Sequence, residues 1–121
     1  MVLTYPSRVA RNHPLPRWPL RLFRVVEDSM RPALNPGDGL VGLRGGTPRI
    51  GQLRLFRDPR RSTRWLVKRV GDVYGSGSKA IFEARSDNPR APGAVDSHEF
   101  GWVSAADTYR VVRTIRAPRR A

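Results

Sequence analysis

Leu22-Phe23-Arg24-Val25-Val26-Glu27, then Asn35-Pro36-Gly37-Asp38-Gly39, then Leu40-Val41-Gly42-Leu43: this stretch decides the fold. Apolar and β-branched runs alternate with turn residues at a spacing too short for helices. Pro36 presets φ at the second position of its turn, and Gly37 tolerates a positive φ at the third. Outward from here the texture repeats. A Gly45-Gly46-Thr47-Pro48 turn precedes runs over 52–57 and 65–70 that read as a hairpin, with 58–63 as its exposed, basic tip. Gly75-Ser76-Gly77-Ser78 is a turn before a strand over 80–84, and 88–93 reads as loop. The runs 100–103 and 109–115 supply the last strands. No long window keeps a helical period, and 104–109 is one turn at most. The pattern predicts an all-β, mostly antiparallel small domain, partly closed into a barrel, with little helix.

At 121 residues the chain is sized for one domain with one real core. Residues 1–20 hold four prolines, three arginines and no acid, and read as an irregular basic arm. A basic tail spans 117–121. The apolar runs fall far short of the roughly 20 residues that span a bilayer, so no transmembrane segment is expected. No continuous apolar core marks the N-terminus as a secretory signal, and a soluble, cytoplasmic protein is expected. The chain has no cysteine, and His13 and His98 are its only histidines, so neither a metal site nor a cofactor is expected. His98 reads as a surface residue.

The charge is lopsided, with 23 Lys and Arg against 10 acids and a net of +13. Such an excess favours weak, nonspecific attraction to polyanions. Only Lys68 and Lys79 are lysines. A chain that defaults to arginine but keeps lysine at one position gains an amine able to lose its proton.

Four segments carry more chemistry than structure requires: Glu27-Asp28-Ser29-Met30-Arg31-Pro32, Asn35-Pro36-Gly37-Asp38, Trp65-Leu66-Val67-Lys68-Arg69-Val70, and Ser86-Asp87-Asn88-Pro89 with Asp96-Ser97-His98-Glu99-Phe100-Gly101 after it. Ser29 follows a strand and enters a Pro-braced turn, where its hydroxyl and its own amide could serve as nucleophile and oxyanion donor. A neutral lysine can activate such a serine if burial lowers its pKa by two to three units, about 3–4 kcal/mol. Each residue also has a plainer reading. Ser29 could be a turn cap, and strand alternation could leave Lys68 on a solvated face.

In order and spacing, Ser29-Met30-x-Pro32 with Leu34 and Gly37-Asp38, then Lys68-Arg69-Val70, then Asp87-Asn88-Pro89 and Asp96-Ser97 with Gly101 and Val103, resemble the boxes of the S26 signal peptidase family. The related S24 self-cleaving repressors share that Ser/Lys fold. The resemblance covers about residues 21–116 and implies a peptidase domain with Ser29 as nucleophile and Lys68 as general base. Ser29, Met30, Glu27, Asp96 and Ser97 fall at the oxyanion and site-supporting positions. Among family members, the short box spacing is similar to that of nickel-type superoxide dismutase maturation proteases. It implies a protein or peptide substrate bound extended against strand edges near 22–28 and 64–70, such as a superoxide dismutase precursor.

Four positions depart from the family pattern. Glu27 stands where Gly or Ser is common, and a carboxylate facing the site would raise the pKa of Lys68. It also cannot donate to an oxyanion, and one lost donor typically costs about 10²–10³ in rate. Ser86 replaces a glycine. Ala94 replaces a serine, so a hydroxyl that orients Lys68 must come from elsewhere. His98 replaces an arginine, which removes an expected partner of Asp96. The sequence therefore supports a soluble Ser/Lys endopeptidase, or alternatively an impaired domain of that type that binds an acidic protein or nucleic acid. A self-cleaving repressor is a third reading, disfavoured because no DNA-binding domain is expected before the peptidase region.

Overall fold

The computed structural model describes residues 1–4 and 19–118, and the chain is nearly all-β. Its strands are β1 Val2–Thr4, β2 Leu20–Val25, β3 Gly39–Arg44, β4 Leu53–Asp58, β5 Arg61–Tyr74, β6 Ile81–Arg85, β7 Val103–Ser104 and β8 Tyr109–Ile115. One helical turn, α1 Ser97–Phe100, and a 3-10 turn at Gly77–Lys79 complete the regular elements. Neighbouring strands run β1-β2-β3-β8-β4-β5, and β5 returns to β1, so six antiparallel strands close a barrel. β6 and β7 extend the sheet beyond β5.

The fourteen residues of β5 serve two cores, because successive side chains point to opposite faces. Trp65 and Val67 fill the barrel with Val2, Phe23, Val25, Met30, Leu34, Leu40, Leu55 and Tyr109. Leu66 and Val70 turn the other way, into a second cluster with Phe56, Ala80, Phe82, Ala84, Val103 and Ala105. Lys68 shares the face of Leu66 and Val70, and that face is covered. It is 1% exposed, which decides between the two placements that alternation leaves open.

Inside the barrel, Gly42 makes room for Tyr109, Leu55 and Phe23. A Cβ there would lie about 3.0 Å from the first two and 3.1 Å from the ring of Phe23. Arg54, on the arginine-rich hairpin, is fully buried. It donates to Thr108 Oγ1 at 2.8 Å and to the Gly45 and Gly46 carbonyls at 3.0 and 2.7 Å, so it clamps two turns rather than facing solvent.

The structure revises four local expectations. The arm over 1–20 contributes β1, because Val2 finds a buried place in the barrel core, and β2 starts at Leu20; residues 5–18 lie outside the described residues. The hairpin tip is shorter than 58–63, since pairing reaches Asp58↔Arg61. The strand expected over 100–103 is instead α1 followed by β7. The Asp96 side chain caps the helix while the Glu99 carboxylate accepts from the Asp96 amide at 2.7 Å, and this capping box outcompetes extension. The tail begins tied down, with the Ala117 amide donating to Asp38 Oδ1 at 2.9 Å; 119–121 lie outside the described residues.

Candidate active site

Ser29 lies in the turns that follow β2, where the Arg31 amide donates to the Asp28 carbonyl at 3.1 Å and the Leu34 amide to the Met30 carbonyl at 2.9 Å. Asp28 and Arg31 form an ion pair at the surface of the same turn. The segment after β6 clasps these turns. The Asn88 amide donates to the Ser29 carbonyl at 2.8 Å, and its side-chain amide to the Asp28 carbonyl at 3.2 Å. The Asp87 amide meets Met30 Sδ at 3.4 Å, so Met30 supports the site from the core. Arg69 grips Asp87 through two hydrogen bonds of 2.9 and 2.8 Å, a bidentate pair that ties the segment to β5 beside Lys68.

These ties bring Lys68 Nζ to 2.8 Å from Ser29 Oγ, with Ser29 3% and Lys68 1% exposed. Desolvation by the apolar walls pushes the Lys68 pKa down from 10.5 to about 8. Asp96, Glu27 and Glu99 work against that fall, and Arg64 adds to it. Lys68 also donates to Ser86 Oγ at 2.9 Å. Ser86 is itself held: its amide faces Asp96 Oδ2 at 3.3 Å and its hydroxyl lies 3.5 Å from the Val95 carbonyl. Ser86 thus supplies a hydroxyl to Lys68 beside that of Ser29.

Asp96 keeps a partner despite the departure at 98. Both the amide and ring Nδ1 of His98 lie 2.9 Å from Asp96 Oδ1, while the ring stays largely exposed. Burial alone would raise the Asp96 pKa, but hydrogen bonds from His98 and Ser86 outweigh it and hold the carboxyl below its usual value. Ser97 opens α1 and has no hydrogen bond to Ser29 or Lys68 among the described residues.

Glu27 is half-exposed and turned toward other charges. Its carboxylate lies 3.3 Å from the Met1 α-amine and 3.5 Å from Arg64 Nη2. It acts on Lys68 through the field rather than through contact. Among the described residues, no group of three or more His, Asp or Glu gathers at metal-binding distance, and no helix is long and apolar enough to cross a membrane.

Sequence reasoning passes over Ser86 as an orienting group, and Arg64 entirely. For Ser86 a signal exists. Arg69↔Arg85 and Val70↔Ala84 pair across β5 and β6, and one further step of that register sets Ser86 opposite Lys68. Compared with protein-family models, curated proteins and solved structures, the chain matches none.

Proposed function

We propose that the protein is a serine endopeptidase with a Ser29/Lys68 dyad, of the signal peptidase type that its sequence resembles. One observation carries the reading: a buried amine with lowered pKa lies 2.8 Å from a buried serine hydroxyl. While Lys68 is an ammonium, it donates that hydrogen bond. Once neutral, its lone pair accepts the Ser29 proton, with one N–H still directed to Ser86 Oγ. Ser29 Oγ then attacks the scissile carbonyl, and Lys68 gives the proton to the leaving amine as the C–N bond breaks. A water deprotonated by the freed Lys68 amine hydrolyses the acyl-Ser29 ester and restores the serine. The Ser29 amide, which has no acceptor among the described residues, donates to the oxyanion. The substrate class is an extended peptide segment of a protein, paired by β-addition.

The binding-module reading keeps the net charge of +13 but not every arginine as a free contact. Arg54 is buried, and Arg31, Arg60, Arg64, Arg69, Arg85 and Arg116 each pair with a carboxylate of the chain itself. The test is covalent labelling by a serine-directed fluorophosphonate across pH. Labelling confined to Ser29 that rises through about pH 8 is expected, and its absence at every pH in the folded protein overturns the protease reading.

A further inference from the structure

The barrel wall is continuous between β2 and β5 because β1 fills the gap. β1 has only three residues. It pairs antiparallel with β2 through Val2↔Val25, Leu3↔Arg24 and Thr4↔Phe23, and meets β5 through the single pair Val2↔Trp65. β2 leads toward Ser29, and β5 passes Trp65 on its way to Lys68, so the gap opens on the dyad. At that end the Met1 carbonyl accepts from the Val26 amide at 3.2 Å, and the Met1 α-amine lies 3.3 Å from the Glu27 carboxylate. Val2 is buried with Phe23, Val25, Met30, Trp65 and Val67, whereas Leu3 is 44% exposed. Beside its main-chain pairing with β2 and the ion pair of the Met1 α-amine with Glu27, the strand is held by one buried side chain, Val2.

We infer that Val2–Thr4 is a displaceable occupant of a peptide-binding slot between β2 and β5, and that the partner of the slot is an extended peptide with a branched aliphatic side chain in the Val2 position. The inference rests on the protease reading for what the bound peptide then undergoes. Polarity distinguishes occupant from substrate. β1 runs away from the dyad, whereas a peptide whose acyl half pairs in the gap must run toward Ser29, parallel to β2 and β5. The chain's own segment therefore fills the slot without presenting a carbonyl to Ser29 in the productive sense.

The test uses the full chain and a fluorescein-labelled peptide of its own residues Met1-Val2-Leu3-Thr4-Tyr5-Pro6, followed by anisotropy. In the wild type the tethered strand competes at an effective concentration on the order of millimolar, so capture is weak. Val2→Asp sets a carboxylate in the apolar pocket, expels the strand and should tighten capture roughly tenfold or more. Leu3→Asp, at an exposed position, should behave as the wild type. A folded Val2→Asp protein that captures no more peptide than the wild type overturns the inference. Should Val2→Asp fail to fold, hydrogen exchange on the wild type decides. The amides of residues 2–4 should exchange through a local opening that leaves the amide of Val25 protected, and exchange only by global unfolding overturns the inference. Fluorophosphonate labelling of the same samples separates the two readings. Capture without labelling keeps the slot and removes the protease, and labelling without capture does the reverse.

Discussion

Ser86 Oγ lies 2.9 Å from Lys68 Nζ, one register step beyond the Arg69↔Arg85 pair. With Ser29 on one hydrogen bond and Ser86 on another, the amine has little freedom to turn. Ser86→Ala should lower kcat about tenfold or more with little change in KM, while Ser86→Thr keeps most of the rate. The readout that separates positioning from mere packing is the pH profile. Its limb should change in Ser86→Ala, whereas a purely structural defect would scale the curve without moving it.

The dyad itself gives the sharpest test. Ser29→Ala should abolish peptide cleavage with little change in Tm. Lys68→Arg should abolish it at a lowered Tm, because a bulkier, permanently charged group enters a buried site. Arginine keeps charge and length but cannot be deprotonated in a protein. A Lys68→Arg enzyme retaining more than roughly a tenth of the activity would remove Lys68 as the base.

Burial of Lys68 also predicts how stability follows pH. Its folded pKa, about 8, lies below the unfolded value of 10.5, so between these values the unfolded chain holds a proton that the folded chain has released. Stability from this group therefore rises with pH across the window, and the full penalty, about 3 kcal/mol, applies below pH 8. Lys68→Met should be more stable than the wild type at pH 7 by about 1–3 kcal/mol, an advantage that shrinks toward pH 10.5. Urea titrations of both proteins at several pH values measure it. A difference that does not change with pH would mean Lys68 titrates normally in the fold.

How much is legible in the sequence depends on the range of the interaction. Turn chemistry is local, so Pro36-Gly37 and Gly45-Gly46 mark their turns, and the strands between them fall within a few residues of 39–44, 53–58 and 109–115. β1 escapes a sequence reading because its stability comes from a distant pocket: Val2 is buried by Val25 and Trp65, which nothing within the first four residues reveals. α1 escapes it although its capping box, Asp96 and Glu99, is spelled out locally; the aromatic residues after it suggest a strand instead. At the site, Ser29 and Lys68 stand out by residue type and are brought together by the fold. Arg64 looks like one more basic residue of the hairpin, since only the closed barrel brings it to Glu27.

Packing inside the barrel sets a further expectation. Gly42→Ala would place a methyl group about 3.0 Å from Leu55 and from Tyr109 Cβ, a contact that backbone or ring must give way to. The cost should be about 1–3 kcal/mol, read as a lower denaturation midpoint with an unchanged slope. A Gly42→Ala variant as stable as the wild type would mean the barrel is looser at its centre than these contacts describe.

Glu27 and Arg64 form a pair with opposite effects on the base. The carboxylate raises the Lys68 pKa and the guanidinium lowers it, while the two groups lie 3.5 Å apart. Removing either leaves the other acting on Lys68 without its counterweight. Glu27→Gln should move the acid limb of kcat/KM to lower pH and raise the rate at neutrality, because more of Lys68 is then in the neutral form. Arg64→Ala should move the limb the other way and slow the enzyme at about pH 7. Both shifts should shrink as salt rises, since Glu27 is half-exposed and part of its field crosses solvent. Because the two substitutions are predicted to differ in sign, a general loss of stability cannot imitate the result. Full pH–rate profiles of the wild type and both variants at low and high salt decide it, and limbs that move in the same direction would show that neither charge acts on Lys68 through its field.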